Sequence, residues 1–378
     1  MEVMVADQAN FSAKISKKAV SPKQITCRLG KYAGVLFVTR CFYTCSTMAS
    51  FLSNPDLPFV RSDFPGNYFD NGQFYHAQYA SDLPPTGRLL RWQLGGNPQK
   101  QEKANDPFRV KCVRGNDFLS SPEDRLVWLG HASFFIRMQG ITLITDPCWT
   151  DLPMIKRRVG LPCAVNDFKN IDYLLLSHGH RDHYDTDCVN QLIVQNPNME
   201  VLMPLKLSEL LGSQRDTVPY QEAAWWQRFH VKSGLEIIFL PAKHWNRRWL
   251  NDFNQQLWGS FLLRSEGRTV YFAGDSAYAG HFTEIKQFVG TPDISLLPVG
   301  AYKPPFMMQK AHMKPSEAVQ AFHDLESKTM IPIHYGTYDL SDEPIGEPVR
   351  KLKALRDEGR IAGELRFLDV GETLSLVS

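Results

Sequence analysis

Short apolar runs alternate with polar and glycine-containing stretches along the chain from residue 126 onward. Runs of about 4–8 apolar residues that end at turn-forming residues are typical of buried strands. On this basis we predict strands over residues 126–129, 133–138, 141–145, 171–176, 201–204, 235–240, 260–264, 269–273, 294–298 and 330–333. Glycine-containing turns at 139–140 and 266–267 each join two of these runs, which predicts two hairpins.

A second pattern, with apolar residues three and four positions apart, is typical of amphipathic helices. It predicts helices over residues 186–195, 205–211, 282–289 and 315–325. The predicted hairpins come first along this part of the chain, and strand–helix alternation follows. This order predicts an α/β fold in which two sheets pack together and the helices lie outside.

The length and composition are those of a soluble globular protein. The 378 residues are enough for one large or two ordinary domains, and 43% are apolar while 22% are charged. The net charge of +2 gives no support for a nucleic-acid partner. The seven cysteines are scattered and form no C-x-x-C pair, which predicts free thiols in a reducing compartment and hence a cytoplasmic protein.

We expect three segments along the chain. Residues 1–50 contain a basic stretch and then an apolar run that Arg40 interrupts, so we expect a poorly ordered leader or a weak membrane anchor. Residues 51–124 are rich in proline, glycine and aromatic residues, and we expect them to wrap the main domain as an N-terminal extension. Residues 125–378 are expected to form the domain that carries the chemistry.

The stretch 177–185, SHGHRDHYD, places three histidines and an aspartate within six residues at the end of a predicted strand. Histidine is the commonest metal ligand, and carboxylates also bind zinc. His178 and His180 alternate and can point the same way from an extended strand end, while Asp182 and His183 fall on the following turn. A solvated polar loop is the alternative, but the chain has only eleven histidines in all, so the density favours a metal site.

Three more potential ligands follow predicted strands in the same way. They are His244, Asp275 and His334. A single histidine after a strand is more often structural than functional. Four strand-end positions of suitable chemistry in one chain favour a metal centre that draws on several strands.

Four motifs in order, HGHRDH, PAKH, AGDS and PIHYG, resemble the ligand set of the metallo-β-lactamase superfamily. Further motifs resemble the N-acyl-phosphatidylethanolamine phospholipase D family and its bacterial relatives: WLGHAS, TDP, LWGS, PVGAY and HMKPSEA. The resemblance extends from about residue 88 to about residue 348. It implies an αββα sandwich for residues 125–378, with two mixed sheets between outer helices.

The resemblance also implies the metal ligands. Two sets of three residues would hold two zinc ions: His178, His180 and His244 for the first, and Asp182, His183 and His334 for the second. Asp275 would bridge the two ions and act as a catalytic residue by orienting the attacking water. Zinc is preferred by ligand type, although iron and manganese accept the same side chains.

Further side chains are expected around this centre. His312 is either a catalytic residue that contacts the substrate or a capping contact at a helix start, and the sequence leaves both open. The residues expected to support the ligands are His131, Asp146 and Asp185. The residues expected to bind the substrate are Trp245, Arg247, Arg248 and Tyr302, with a solvated loop of packed tryptophans as the alternative for the first three.

The resemblance implies a zinc-dependent phosphodiesterase that cuts N-acyl-phosphatidylethanolamine or a related lipid. Hydrolysis of a lactone or a sugar phosphate is the alternative within the same superfamily, because fold and metal site do not choose the substrate. A metal-binding protein without turnover is less favoured, since structural zinc sites are usually closed and rich in thiolates. The expected partner is a phospholipid or another small-molecule substrate. Peripheral contact with a membrane and a homodimer are left open, and no nucleic acid is expected.

Overall fold

Two mixed seven-stranded sheets face each other across an apolar core in the computed structural model, which describes residues 49–76, 79, 87, 92 and 94–376. The strands are β1 (Ser50–Leu52), β2 (Asn67–Asp70), β3 (Gln73–Phe74), β4 (Arg125–Gly130), β5 (Ser133–Met138), β6 (Ile141–Thr145), β7 (Tyr173–Leu175), β8 (Glu200–Pro204), β9 (Tyr220–Ala223), β10 (Gln227–Arg228), β11 (Leu235–Leu240), β12 (Ser260–Ser265), β13 (Arg268–Phe272), β14 (Ile294–Pro298), β15 (Thr329–Ile333), β16 (Glu364–Leu365) and β17 (Thr373–Ser375). The helices are α1 (Lys100–Ala104), α2 (Asp117–Ser120), α3 (Thr186–Gln195), α4 (His281–Val289), α5 (Pro305–Met308), α6 (Pro315–Asp324) and α7 (Glu347–Asp357), with 3₁₀ turns at Val165–Asp167 and Leu207–Asp216.

The two large sheets have the same pairing pattern. The first has the order β17-β4-β5-β6-β7-β8-β9, and the second has the order β10-β11-β12-β13-β14-β15-β16. In each sheet the first three pairings are antiparallel and the last three are parallel. Parallel neighbours need a crossover connection, which α3 provides between β7 and β8 and α4 provides between β13 and β14.

Successive residues of β4 point to opposite faces of the first sheet, as the two-residue period of a strand requires. Leu126 and Trp128 pack in the core between the two sheets. Val127 and Leu129 pack in a second core that includes Val189 of α3. Both faces of this strand are therefore buried, which explains its continuous apolar run in the sequence.

Helices also pack against the second sheet. Phe282 of α4, Phe322 of α6 and Leu352 of α7 belong to the same apolar cluster as its strands. The layers follow the order helix, sheet, sheet, helix. The αββα sandwich with two mixed sheets and outer helices is confirmed.

Helix α7 was not predicted from the sequence. Its apolar positions Val349, Leu352 and Leu355 recur every three residues, but charged residues fill most of the other positions. Pro348 in the first turn is typical of a break, yet proline is accepted there because its missing N–H has no partner within the helix anyway. The amphipathic spacing was present, and the charge density and the proline obscured it.

Residues 49–76 pack against the second sheet through polar contacts. The Gln227 side chain donates to the carbonyls of Asn54 (2.7 Å) and Leu57 (2.8 Å). The backbone N–H of Trp225 donates to the Asn67 side chain at 2.9 Å. The small sheet β1-β2-β3 lies in this segment.

The later part of the extension is attached at the start of α7. Asp106 accepts from the Arg350 guanidinium (3.1 Å) and from the backbone N–H of Gly346 (2.9 Å). Glu347 is buried and accepts from Gln99 Nε2 at 3.0 Å. These bonds join residues nearly 250 positions apart in sequence.

Replacing Glu347 by glutamine is expected to lower the free energy of unfolding by about 2 kcal/mol at pH 7, because charge-assisted bonds from two lysines are lost. Burial acts to raise the pKa of Glu347, but hydrogen bonds from Lys303 and its other partners outweigh burial and lower that pKa to about 2. The stabilisation is therefore complete above the ordinary glutamate pKa of 4.5 and is lost as the pH falls from 4.5 toward 2.

Urea unfolding of the wild type and Glu347→Gln at pH 7 and at about pH 3.5 measures this difference. Glu358→Gln is the control, because Glu358 lies just after the same helix with its side chain exposed. A gap between wild type and Glu347→Gln that is the same at both pH values would contradict the prediction.

The described residues contain no helix that is both long enough and apolar enough to cross a membrane. The predicted leader or anchor lies almost entirely outside the described residues.

Candidate metal centre

The predicted ligands meet at one edge of the sandwich. In each sheet the ligand-bearing strands run in the same direction, so their carboxyl ends lie at a common edge. His178 follows β7 of the first sheet, while His244, Asp275 and His334 follow β11, β13 and β15 of the second. All four side chains are at most 3% exposed. The strand-end pattern in the sequence therefore marks positions that the fold brings together.

The first cluster consists of His178, His180, His244 and Asp275. His180 Nδ1 lies 2.9 Å from His178 Nε2 and 3.1 Å from His244 Nε2. Asp275 Oδ2 lies 3.9 Å from His178 Nε2 and 3.7 Å from His244 Nε2. Three imidazole nitrogens and one carboxylate oxygen thus converge on one point, which is a ligand set that zinc accepts.

The second cluster consists of His131, Asp182, His183 and His334. Asp182 Oδ2 is central to it, at 2.9 Å from His131 Nε2, 3.3 Å from His334 Nε2 and 3.6 Å from His183 Nε2. The sequence-based assignment gave His131 only a supporting role. The structure places it as close to Asp182 as the predicted ligands.

Asp275 lies between the two clusters. Its Oδ2 is 3.2 Å from His183 Nε2, and its Oδ1 is 3.2 Å from His334 Nε2. The same carboxylate also faces the first cluster through Oδ2. This is the position required of a residue that contacts two ions.

Several buried polar atoms of the two clusters have no hydrogen-bond partner. They are Nδ1 of His131 and His312, Nε2 of His180 and His183, both ring nitrogens of His334, and Oδ1 of Asp275. Buried polar atoms are almost always hydrogen-bonded, so a concentration of unpaired ones in one place is unusual. Among them, His183 Nε2 and His334 Nε2 each lie 3.2 Å from an oxygen of Asp275, and nitrogen and carboxylate atoms grouped in this way fit a divalent cation.

Charge is distributed unevenly over the centre. Burial and the neighbouring histidines hold the pKa of His178 well below its usual value, so its ring is neutral. In contrast, the carboxylates of Asp275 and Asp182 outweigh burial and raise the pKa of His334 to about 9. Burial also acts to raise the pKa of Asp275, but surrounding histidines hold that pKa well below its usual value. The Asp182 and Asp275 carboxylates are therefore charged in a buried place, where neighbouring positive charge stabilises them.

Two hydrogen bonds orient ligand rings, and a third holds the aspartate that makes one of them. His244 Nδ1 lies 2.9 Å from the carbonyl of Ala311, which leaves Nε2 facing the first cluster. His183 Nδ1 lies 2.8 Å from Asp146 Oδ2, which leaves its Nε2 facing Asp275. Asp146 in turn accepts from the backbone N–H of Ser177 at 2.7 Å. Asp146 therefore contacts both the His183 ring and the backbone of Ser177, and its role as a supporting residue stays a prediction.

His131 connects the two ligand-bearing loops of the second cluster. Its backbone N–H donates to the Thr337 hydroxyl at 2.7 Å, and its carbonyl accepts from the backbone N–H of His334 at 3.1 Å. Its φ of +56° is a conformation that few residues adopt without such restraints. His131 thus fixes the loop of His334 through its backbone and Asp182 through its ring.

Asp185 has a different position from the predicted one. It is the N-cap of α3, and its carboxylate accepts from the backbone N–H groups of Asp187 (3.0 Å) and Cys188 (3.3 Å). Its other oxygen accepts from the Thr150 hydroxyl. Aspartate is a favoured N-cap residue, and this role directs the side chain to the helix start instead of to a ligand.

Two of the four predicted substrate residues have other partners. The Arg248 guanidinium donates to the carbonyls of Gly179 (3.1 Å) and Tyr184 (2.8 Å), so it holds the ligand loop. Tyr302 is 1% exposed, and its hydroxyl donates to Glu347 at 2.6 Å, away from the ligands. Trp245 remains at the centre, with its ring 4.5 Å from that of His180, and Arg247 is half-buried beside it.

His312 is a partly exposed side chain beside both clusters, and we call its position the entrance to the centre. Its Nδ1 is 3.7 Å from Asp275 Oδ2, and its side chain is 12% exposed. Its ring lies 5.2 Å from that of His244 and 5.3 Å from that of His334. Helix α6 begins three residues later and has no side-chain contact from His312 at its cap. The position suits contact with a substrate, which leaves helix capping as the weaker alternative.

Two contributors were missed in the sequence. Asn246 is fully buried and accepts from the backbone N–H of Gly179 at 2.8 Å. The Ser276 hydroxyl accepts from the backbone N–H of Lys243 at 3.0 Å, which joins the residue after Asp275 to the residue before His244. In the sequence, Ser276 directly follows Asp275 and Asn246 lies two residues after His244. A polar residue this close to a predicted ligand was the pattern that could have indicated both.

Comparison with known proteins agrees with this geometry. Residues 142–335 match the family described as beta-lactamase superfamily domain. The chain belongs to this superfamily. Within it, the chain is a metal-dependent hydrolase, and its relatives include enzymes named for hydrolysis of N-acyl-phosphatidylethanolamine.

The relative from Caenorhabditis elegans, N-acyl-phosphatidylethanolamine-hydrolyzing phospholipase D 1, is 31% identical over 294 residues, which covers 73% of this chain and 82% of that protein. The mitochondrial enzyme of the same name from Saccharomyces cerevisiae is 31% identical over 258 residues, covering 65% of this chain and 54% of the yeast protein. A metal-dependent hydrolase of Pelotomaculum thermopropionicum is 26% identical over 260 residues, covering 67% of this chain and all of that protein.

Solved structures share the fold. Isothiocyanate hydrolase from Delia radicum gut bacteria aligns with a TM-score of 0.53 at 16% identity, covering 67% of this chain and 98% of that one. CmlA, a diiron beta-hydroxylase from Streptomyces venezuelae, aligns with a TM-score of 0.51 at 19% identity, covering 68% of this chain and 55% of that one. At these identities the likeness concerns the fold alone.

Proposed function

We propose that the protein is a two-metal hydrolase that cleaves the phosphodiester bond of N-acyl-phosphatidylethanolamine or a related phospholipid. The products would be an N-acylethanolamine and phosphatidic acid. The observation that carries the proposal is the position of Asp275, whose two oxygens face two clusters of buried histidine and aspartate ligands. The lipid is supported by two relatives that are named for this reaction.

The residues of both clusters other than His131 would hold two divalent ions, with zinc the metal we propose from the ligand types. When bound, such ions make water a nucleophile near pH 7 and neutralise charge on the oxygens of a phosphodiester. Asp275 fixes the spacing of the two ligand sets, because one carboxylate reaches both. His131 and Asp146 hold Asp182 and His183 in place by hydrogen bonds of 2.9 and 2.8 Å.

His312 would contact the substrate at the entrance. Burial lowers its pKa to about 4, so at pH 7 the ring is neutral, with one N–H to donate and one nitrogen to accept. A donor in this position can form a hydrogen bond to the leaving-group oxygen as negative charge develops there. A water-poor site strengthens that bond.

The loop after His244 would form the lipid-facing side of the entrance. Trp245 contacts His180 within the centre, and Trp249 and Leu250 follow on the same loop with 59% and 92% of their surface exposed. Tryptophan is favoured where a protein meets a membrane interface. This loop supports contact with a lipid surface, where the substrate would be found.

Zinc-loaded protein is expected to hydrolyse N-acyl-phosphatidylethanolamine in mixed micelles, and removal of the metal by a chelator is expected to abolish the activity. Restoring zinc should restore it. The assay measures release of N-acylethanolamine by mass spectrometry, with bis(p-nitrophenyl) phosphate and a γ-lactone as parallel substrates.

The parallel substrates separate the alternatives. Turnover of the lactone or the aryl phosphodiester with an inert lipid would refute the lipid substrate and retain the hydrolase. Bound zinc with no turnover of any substrate would favour a metal-binding protein without catalysis. Chelator-resistant hydrolysis of the lipid would refute the metal-dependent mechanism.

A further inference from the structure

We infer that the loop after His244 sets the geometry of the first ligand cluster by clamping Gly179, the residue between ligands His178 and His180. The clamp consists of Asn246 and Arg248, each of which binds a different backbone group of Gly179. The side chains of both residues form hydrogen bonds to backbone groups and to Gln256 and Thr186, and not to the side chains of the ligands. The inference rests on the metal centre of the proposed function and assigns positioning residues to it.

Asn246 holds the peptide that joins His178 to Gly179. The backbone N–H of Gly179 donates to Asn246 Oδ1 at 2.8 Å. Asn246 has no exposed surface, so water does not compete for this bond. Asn246 lies two residues after His244. One loop therefore carries the ligand His244 and also holds the backbone between the ligands His178 and His180.

Arg248 holds the next peptide, which joins Gly179 to His180. Its guanidinium donates to the Gly179 carbonyl at 3.1 Å and to the Tyr184 carbonyl at 2.8 Å. It also donates to the Thr186 hydroxyl at 2.6 Å. Arg248 therefore bonds to both ends of the stretch 179–184, which contains the ligands His180, Asp182 and His183.

The Asn246 side chain is itself held from behind. Its Nδ2 donates to Gln256 Oε1 at 2.8 Å, and Gln256 Nε2 donates to Glu209 at 3.1 Å. Its backbone N–H donates to Asn254 Oδ1 at 3.0 Å, and its carbonyl accepts from the backbone N–H of Asn254 at 2.7 Å. The amide has one available orientation, with the oxygen toward Gly179 and the nitrogen toward Gln256.

The clamp also explains the glycine at position 179. A Cβ there would lie 2.9 Å from Asn246 Oδ1 and 2.9 Å from Leu210 Cδ1. The φ angle of Gly179 is not in the left-handed region, so close approach of the clamp, and not backbone conformation, excludes larger residues. The glycine between His178 and His180 therefore packs directly against the loop that follows His244.

The test measures zinc affinity instead of turnover. Asn246→Leu removes the oxygen that accepts from Gly179. Asn246→Asp retains that oxygen and loses only the N–H that donates to Gln256, whose side-chain amide can turn to donate to the new carboxylate oxygen. Competition between the protein and a chromophoric chelator for Zn²⁺ should show one of two zinc sites weakened by about 10–100-fold in Asn246→Leu and far less in Asn246→Asp. Asn251→Leu is the matched control, because Asn251 lies exposed on the same loop; it should bind zinc as the wild type does.

Two further measurements separate positioning from general damage. Thermal melts of the chelator-treated proteins report the fold itself, and the rise in Tm on adding zinc should be smaller for Asn246→Leu than for Asn246→Asp. In a His334→Ala background, which cripples the second cluster, Asn246→Leu should still weaken the remaining site by the same factor.

Equal zinc affinity in the wild type, Asn246→Leu and Asn246→Asp would overturn the clamp. Equal weakening by Leu and Asp would also overturn it, because the oxygen would then be irrelevant. If the wild type itself binds no zinc, the metal centre of the proposed function fails, which is a distinguishable result.

Discussion

Asp275→Asn is expected to keep the fold and to lose phosphodiester turnover by about 10³-fold at saturating zinc. Asparagine has the shape of aspartate, but it is neutral and replaces one of the two oxygens by an NH2 group, so it keeps an acceptor at only one of the two positions that face His183 and His334. A single carboxylate that faces both ligand clusters cannot be replaced by an amide without losing one contact and the shared charge. The loss of turnover should therefore exceed the loss of metal affinity.

Turnover and bound zinc must be measured on the same sample to test this. Asp293→Asn is the matched control, because Asp293 lies at the opposite end of β14 and accepts from the Thr269 N–H and Lys328, away from the clusters. Circular dichroism establishes that both variants are folded. Wild-type turnover in zinc-loaded Asp275→Asn would show that this carboxylate has no role in the chemistry.

His312→Ala is expected to lower turnover by about 10²–10³-fold while zinc content stays unchanged. His131→Ala is expected to show the reverse order of effects, with zinc affinity falling about 10–100-fold and activity returning partly at high zinc. The difference follows from position. His312 lies at the entrance with its side chain 12% exposed, whereas His131 is buried and holds Asp182 at 2.9 Å.

His323→Ala provides the comparison for a histidine lost from the same region. His323 lies on α6, eleven residues after His312 in the sequence. Its Nε2 accepts a hydrogen bond from the backbone N–H of Ala362. It should leave both zinc and turnover unaltered. Loss of zinc in His312→Ala would make His312 a ligand, and full activity would remove it from the catalytic site.

The strands and the ligand positions were predictable for the same reason. Strands β5, β6, β11 and β14 coincide with the predicted ranges, because strands buried on both faces leave uninterrupted apolar runs in the sequence. A polar residue directly after such a run falls at the carboxyl end of a strand. In both sheets these ends share one edge, so His178, His244 and Asp275 could be grouped before any coordinates were known.

Side-chain partners were predicted less well, because the same residue type serves several roles. Arg248 was expected to bind the substrate, yet it donates to backbone carbonyls, which also accept hydrogen bonds from a guanidinium. Tyr302 and Asp185 likewise bind a distant glutamate and a helix start. The partners of Arg248 and Tyr302 are set by segments far apart in sequence, which no local pattern records. Asp185 is different, because an aspartate directly before a predicted helix is a local N-cap signal.

Short edge strands were also missed. The two-residue strands β10 and β16 and the three-residue strand β17 are too short for a period of two to be read. They join the sheets by pairing with the backbone of a longer strand, β11, β15 or β4.

The matching order of the two large sheets gives the sandwich an internal pseudo-symmetry that extends to the metal centre. The second strand of each sheet, β4 or β11, is followed by a histidine, His131 or His244. The fourth strand, β6 or β13, is followed by an aspartate, Asp146 or Asp275. The same two residue types therefore stand at corresponding strand ends of the two sheets. The symmetry ends at the contacts: Asp275 lies near both ligand clusters, whereas Asp146 is hydrogen-bonded to His183.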